Sequence, residues 1–591
     1  MKASKAGAQY KTGLRHMQEG RYLDAQACCR EALAQDPRHA DALHLMGLLA
    51  AQAEQLDQAV EWIANAIRRE PKPEYLSSLG TTLLRQGRYE EALKFFDKAV
   101  QLGPENADLW IALGNILADG KRFAEALQTF QHVLTLNPRH GDATFKSGYL
   151  LHKLERFDEA LIYLDLAGKL QPNNAQILRT RGWLLRDLGR LSEALADNQR
   201  VHELDPSDGS TCNDIALIFQ ALGQEEKALP WFDQALELLP NNMEVLSNKV
   251  FLLGKLQRID EAFALHERMK ALGLNNATTE TNVSLLRLLT GNFEVGWAGR
   301  EARWTKAQKV SYPKFSQSMW LGGEEIRGKT LLIHVDEGLG DTIQFVRYIP
   351  SLAALGARII LVVERPLHAL LSKFPGVSQC LALSAGELPA FDMHCPITNL
   401  PLPFGTRLDT IPAETSYLPL PSAEQTQVWE ERLGSHDRLR VGLVWSGNPK
   451  HKNDHNRSVP LQTFTGLLDQ TDATFVSLQK DPRPADKSVL FERTDIVDLT
   501  AHLNDFVDTA SLVSCLDLVI TVDTSVAHLA AALGGPTWVL LPYTPDWRWL
   551  LNRDDSPWYP TMRLFRQSEN RDWSEVLARV RSELLGLVSA R

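Results

Sequence analysis

Gly87 to Trp110 reads GRYEEALKFFDKAVQLGPENADLW, and Lys121 to His140 reads KRFAEALQTFQHVLTLNPRH. In each stretch apolar residues recur at i, i+3 and i+4, the spacing that lines one face of an α-helix. Laying one stretch on the other matches Ala92 to Ala126 and Pro104 to Pro138, an offset of 34 residues. Extended outward, three series keep a step of 34, with a single step of 33 between the second and third members of each. The first is Gly13, Gly47, Gly80, Gly114, Gly148 and Gly182, continued by Ala216 and Val250. The second is Ala25, Ala59, Ala92, Ala126, Ala160, Ala194, Ala228 and Ala262. The third is Pro37, Pro71, Pro104, Pro138, Pro172, Pro206 and Pro240. Gly and Ala let two helices approach closely, and Pro ends the second helix before the next begins.

A helix–turn–helix unit repeated at about 34 residues resembles the tetratricopeptide pattern, which stacks into a solenoid with an extended concave surface. Eight repeats end near Leu274, and a half-unit, LLRLLTGNFEVGWAGREARW (Leu285 to Trp304), keeps Gly296 in the alanine frame. The expected organisation is a superhelix over residues 1–274, then a half-repeat cap and connection over 275–328. Solenoid surfaces hold peptides or proteins, so a protein docked on the repeats is the expected partner, with self-association into a homo-oligomer as the alternative.

From Lys329 the texture changes to short β-rich runs separated by helical ones, the mark of parallel α/β units. TLLIHV (Thr330 to Val335) predicts a strand, DEGLGD a glycine-rich turn, TIQFVRYIPSLAALG a helix and ARIILVVE the next strand. The Pro-rich Asn399 to Pro421 predicts an interlobe connection. Beyond it, VGLVWSG (Val441 to Gly447), TFVSLQ (Thr474 to Gln479), LDLVITVD (Leu516 to Asp523) and TWVLLP (Thr537 to Pro542) predict a second strand set. The fold class is therefore an α-helical solenoid followed by two Rossmann-like lobes, residues 329–421 with the linker and 422–591 with a terminal helix. Ligands of such lobes sit at the carboxyl ends of the strands.

The bulk composition narrows the function. A chain of 591 residues with 44% apolar and 23% charged residues is a multidomain globular protein. A net charge of −10 gives no electrostatic reason to expect a nucleic-acid partner. The six cysteines lack metal-ligand spacing, so no structural zinc is expected. Neither a signal peptide nor a membrane span is legible, and the expected location is the cytoplasm.

HVDEGLGDTIQFVRYIPSL, RSVPLQTF and VDTSVAHLAAALGGPTWVLLP resemble the lipopolysaccharide heptosyltransferase family, two-lobed (GT-B) inverting glycosyltransferases. The similarity spans about Lys329 to Gln567. The layout of repeats before such lobes also resembles protein O-GlcNAc transferases and bacterial flagellin glycosyltransferases. One departure is that the asparagine ladder of O-GlcNAc transferases is replaced here by Lys11, Leu45, Ser78, Ala112, Lys146, Thr180, Asp214 and Asn248.

Sugar transfer needs a base for the acceptor hydroxyl and fixed positive charge or N–H groups for the departing phosphate. Asp341, in the turn entering the first helix, is either a helix cap or the base; the resemblance implies the base, with Glu337 as a second candidate. Gly338 and Gly340 let the backbone pass close to substrate. In the second lobe, the loop opening at Ser446 carries Lys450, Lys452 and Arg457, of which Arg457 matches the family's phosphate-binding position. Asp523, Thr524 and Ser525 end a strand and open a helix whose N-terminus suits a diphosphate, and His528 is either a donor contact or a core histidine. GEEIRGKT (Gly323 to Thr330) fits the P-loop expression but precedes a strand, which excludes it. No metal site or bound cofactor is expected; the nucleotide sugar is a substrate. These readings point to transfer of a sugar to a protein hydroxyl, with a lipid or polysaccharide acceptor and a non-catalytic scaffold as alternatives.

Overall fold

The computed structural model describes residues 2–304, 315–384, 386–451, 453–469 and 471–590, with side chains from residue 5. The chain divides into two units, Met1–Pro240 and Asn241–Arg591.

The first unit is a tetratricopeptide solenoid. Among the described residues it holds seven helix–turn–helix pairs, from Lys2–Gln18 with Tyr22–Gln35 to Gly209–Ala221 with Glu225–Leu238. The glycine series sits where the two helices of a pair meet. A Cβ on Gly47 would lie 2.4 Å from Ile63 Cγ1, one on Gly80 2.5 Å from the Phe96 ring, and one on Gly148 2.8 Å from Leu164 Cγ. All seven alanines of the partner series in this unit, Ala25 to Ala228, are fully buried. First helices begin on a side-chain cap two residues after the proline: Asn106, His140, Asn174 and Asp208 each accept a backbone N–H of the first turn.

A fourth series emerges only in three dimensions. Each first helix ends in a residue of positive φ: Gly20, Glu54, Gly87, Lys121, Glu155, Gly189 and Gly223, continuing as Gln257 and Gly291 in the second unit. This is the left-handed cap that reverses the chain into the next helix.

In the second unit the repeat pattern continues as Met243–Lys255 with Ile259–Ala271, then Ala277–Leu289 with Phe293–Arg300 and a short 3-10 turn, Glu301–Trp304. Two parallel sheets follow. The first orders β3 (Val377–Ala382), β2 (Arg358–Val363), β1 (Thr330–His334) and β4 (Met393–Pro396), with Leu331 opposite Ile359 and Met393. The second orders β10 (Met562–Arg566), β9 (Thr537–Leu541), β8 (Leu518–Val522), β5 (Leu439–Val444), β6 (Ala473–Ser477) and β7 (Ile496–Asp498), with Val441 opposite Phe475 and Leu518. Central strands are buried on both faces, as parallel sheets require: β1, β5 and β8 are almost uninterrupted apolar runs. In each sheet the chain winds outward on one side of the first strand and then crosses to the other. The order thus reverses at β1/β4 and at β5/β8, where a crevice opens at the strand ends.

The helix expected over Thr342 to Gly356 is broken into Leu339–Phe345, a 3-10 turn at Val346–Tyr348 and Ile349–Ala354, where Pro350 supplies no N–H to a continuous helix. GEEIRGKT leads into β1, so it opens no helix. The Pro-rich connection is irregular, and the N–H groups of Tyr417 and Leu418 both reach the Ala532 carbonyl, at 3.1 and 3.2 Å. Among the described residues no helix is long and apolar enough to cross a membrane.

Candidate active site

β1 ends at His334, and the chain turns through Asp336, Glu337 and Gly338 into the Leu339–Phe345 helix. Asp341 is the third residue of that helix. Its Oδ2 accepts the Gly338 N–H at 3.0 Å, so the capping reading is correct as far as it goes. Its Oδ1 is bound by Arg548, which arrives from the second lobe. The carboxyl is 15% exposed. Burial pushes it up to about 7, with Glu337 and Asp546 pushing the same way and Arg548 and Arg300 opposing.

Glu337, the second candidate base, is committed elsewhere. It pairs with Arg300 and lies 3.4 Å from Arg303 Nη1. Burial opposes its charge, yet Arg300, Arg303 and Arg548 hold it below the usual glutamate range. Asp336 takes Arg303 at 3.1 Å and Thr398 Oγ1 as donors. Arg303 also reaches Asn399, and Arg300 donates to the Thr398 carbonyl at 3.2 Å. The turn thus rests on two buried arginines, Arg300 from the last repeat helix and Arg303 from the 3-10 turn that follows it.

The close approach expected at Gly340 exists, but to protein. A Cβ there would lie 2.8 Å from His528 Cδ2 and 3.6 Å from Ser525 Cα, so the two lobes' helices meet at this glycine. A Cβ on Gly338 would meet only Asp341 Oδ2, at 3.4 Å.

In the second lobe, the β5 end and the β8 end converge. Arg457 donates to the Asp523 carbonyl at 3.1 Å, while its buried Nε makes no hydrogen bond and lies 3.9 Å from Asp454 Oδ1. Arg457 fits there because residue 447 is glycine: a Cβ would lie 2.8 Å from the guanidinium. Ser446 gives its N–H to Gln479 Oε1 at 3.0 Å, and its buried hydroxyl has no protein partner. Asp523 is almost buried. Thr524 caps the Ser525–Ala532 helix without a side-chain cap bond, its hydroxyl lying 3.1 Å from Thr521 Oγ1. Lys452 lies outside the described residues.

His528 is the core histidine. It is 2% exposed, its Nδ1 is 2.8 Å from the Tyr559 hydroxyl, and its ring stacks on Trp549. Burial, then the Arg548 and Arg347 charges, hold it well below the ordinary histidine range, so it is neutral. Its own helix, Trp549 and Tyr559 pack around the ring. The tryptophan-rich segment likewise packs the lobes. Trp547 and Trp558 are buried against Phe293 and Phe345.

Sequence reasoning missed Arg548, Arg300, Arg303 and Gly447. The signal for the first three is an arginine among tryptophans, in DWRW and REARW, where a buried cation needs a partner. Among the described residues no group of three or more His, Cys, Asp or Glu is arranged to hold a metal ion.

The fold is that of a repeat protein in which helical hairpins precede two parallel α/β lobes. Residues 487–572 match the glycosyltransferase family 9 (heptosyltransferase) profile, and residues 10–74, 44–107, 83–134, 117–184 and 209–242 match tetratricopeptide-repeat profiles. The chain carries tetratricopeptide repeats and a C-terminal family 9 domain. It is similar to Protein FlbA of Caulobacter vibrioides, 26% identical over 387 residues, which cover 60% of this chain and 63% of that protein. The match thus spans less than two thirds of that relative's length. Among solved structures, YrrB, a tetratricopeptide-repeat protein with an unusual peptide-binding site, shares 28% identity over 32% of this chain and 98% of its own, with a TM-score of 0.29. PilF of Pseudomonas aeruginosa shares 25% over 38% of this chain and 99% of its own, with a TM-score of 0.31.

Proposed function

We propose that this chain transfers a sugar from a nucleotide-sugar donor to a hydroxyl of a protein held by the repeats, flagellin being one such protein, in the cytoplasm, with inversion and without a metal ion. The acceptor oxygen attacks the anomeric carbon while its proton passes to Asp341. The bond from that carbon to the phosphate oxygen breaks, and its electron pair leaves with the nucleotide. Arg457 and the N–H groups that open the Ser525–Ala532 helix take up the charge on the phosphate. The supporting observation is Asp341 itself: a carboxyl at the first crevice, partly open to solvent, with a proton affinity near neutrality, where a general base works best.

The test is intact-mass spectrometry of proteins from cells carrying the wild-type chain, Asp341→Ala, or a deletion of residues 1–240. The deletion stops at the unit boundary so that the later helices stay in place. Loss of one sugar mass from the same protein in both altered strains is expected, and Asp341→Ala lowers transfer by at least about a hundredfold. A change confined to lipid or polysaccharide would overturn the protein acceptor; no change anywhere would favour a scaffold.

A further inference from the structure

Two features converge on the Tyr543–Trp549 segment. Its arginine leaves the second lobe and enters the first, where Arg548 Nε donates to Gln344 Oε1 at 2.9 Å and Nη2 binds Asp341, while Nη1 stays 3.2 Å from Asp546. The segment is also fastened to the last helices of the repeat pattern. Gln257 donates to the Tyr543 carbonyl at 2.5 Å, the Thr544 hydroxyl donates to the Lys255 carbonyl at 2.6 Å, and Trp547 packs edge-on against Trp297.

We propose that Arg548 is the positioning residue for Asp341, and that the end of the repeats, through Gln257, holds the segment that delivers it. This rests on Asp341 being the base. One carboxylate oxygen is tied by Gly338 N–H and the other by Arg548, so the carboxylate plane is fixed from both lobes while each oxygen keeps a further lone pair. A base held in this way loses no rate to misorientation. Arg548 also sets when the base is free. The charged groups around Asp341 are Glu337 on its own turn, Arg300 beneath that turn with Arg303 behind it, Arg548 and Asp546 from the tryptophan segment, and Asp523 from the β8 end; His528, from the facing helix, is neutral. Arg548 and Arg300 favour the carboxylate; Glu337 and Asp546 oppose it. Removing Arg548 therefore raises the pH at which the base becomes available, and removing the Asp546 charge lowers it.

The experiment follows nucleotide release from a nucleotide-sugar donor, with and without acceptor, against pH, for the full-length wild type, Arg548→Met, Arg548→Lys, Asp546→Asn, Gln257→Ala and Asp341→Asn. In Arg548→Met, kcat at neutral pH falls about tenfold to a hundredfold with donor KM little changed, and the acid limb moves up by about one pH unit or more. Arg548→Lys keeps the limb in place and recovers part of kcat. Asp546→Asn moves the limb the opposite way. Gln257→Ala lowers kcat and moves the limb upward by less than Arg548→Met does. If Arg548→Met does not fold, Arg548→Lys and Asp546→Asn carry the test. A limb that stays put in both Arg548→Met and Asp546→Asn overturns the positioning role while leaving the proposed reaction standing. Activity of Asp341→Asn equal to wild type overturns the proposed reaction and this inference together.

Discussion

Four arginines of the first unit's repeats and four of the second unit are placed in opposite ways. In the repeats, Arg88, Arg122, Arg156 and Arg190 each stand just before a second helix and pair with the glutamate three residues on, both partners well exposed. In the second unit Arg300, Arg347, Arg440 and Arg548 are all buried, and each spends its guanidinium on carbonyls or carboxylates distant in sequence. Exposed pairs at one helix end contribute little, because water already solvates both charges. A buried cation is tolerated only where its partners are fixed. The contrast separates charges that decorate a scaffold from charges that hold a site together.

The largest test of this contrast removes one charge from each set. Arg300→Met removes a buried guanidinium that binds Glu337 and the Thr398 carbonyl, and should clearly lower the second unit's calorimetric midpoint, at a cost of about 1–3 kcal/mol for the Thr398 carbonyl left without its donor. Arg122→Ala should leave the calorimetric midpoint unchanged. Equal shifts in the two variants would erase the distinction. A middle-sized test addresses packing instead. Gly47→Ala places a methyl against Ile63, and the overpacking outweighs the helix propensity gained, for a net loss of about 1–2 kcal/mol. Faster amide hydrogen exchange confined to residues 40–69 would register it. The smallest effect lies in the turns. Lys121→Gly relieves a left-handed backbone and should stabilise by about 0.5–1 kcal/mol. Gln257→Gly, with the same backbone gain, also loses the bond to Tyr543 and should fall short of that value in parallel melts.

The solenoid was readable because its contacts are local: a glycine and the residue it admits are sixteen apart, as in Gly47 with Ile63 and Gly80 with Phe96, so the period exposes them. The left-handed turn series escaped notice because residues 54, 121, 155 and 257 are not glycine. In the lobes, β1, β2, β5, β6, β8 and β9 follow from apolar runs. β7 is three residues long, β4 four, β3 has no buried residue, and β10 is interrupted by Arg563 and ends on Arg566, so none of these announces itself. Asp523, Thr524 and Ser525 are legible because they end one strand and open a helix, whereas Asp341 and Arg457 follow from the family resemblance. The Arg548–Asp341 pair joins positions 207 residues apart, and no local pattern encodes such a meeting.

The division at Pro240 has an evolutionary reading. The helices that grip the Tyr543–Trp549 segment lie after it, so whole 34-residue blocks can be gained, lost or exchanged before it by recombination. On the proposed function, a lineage could then acquire a new client protein without renegotiating its chemistry.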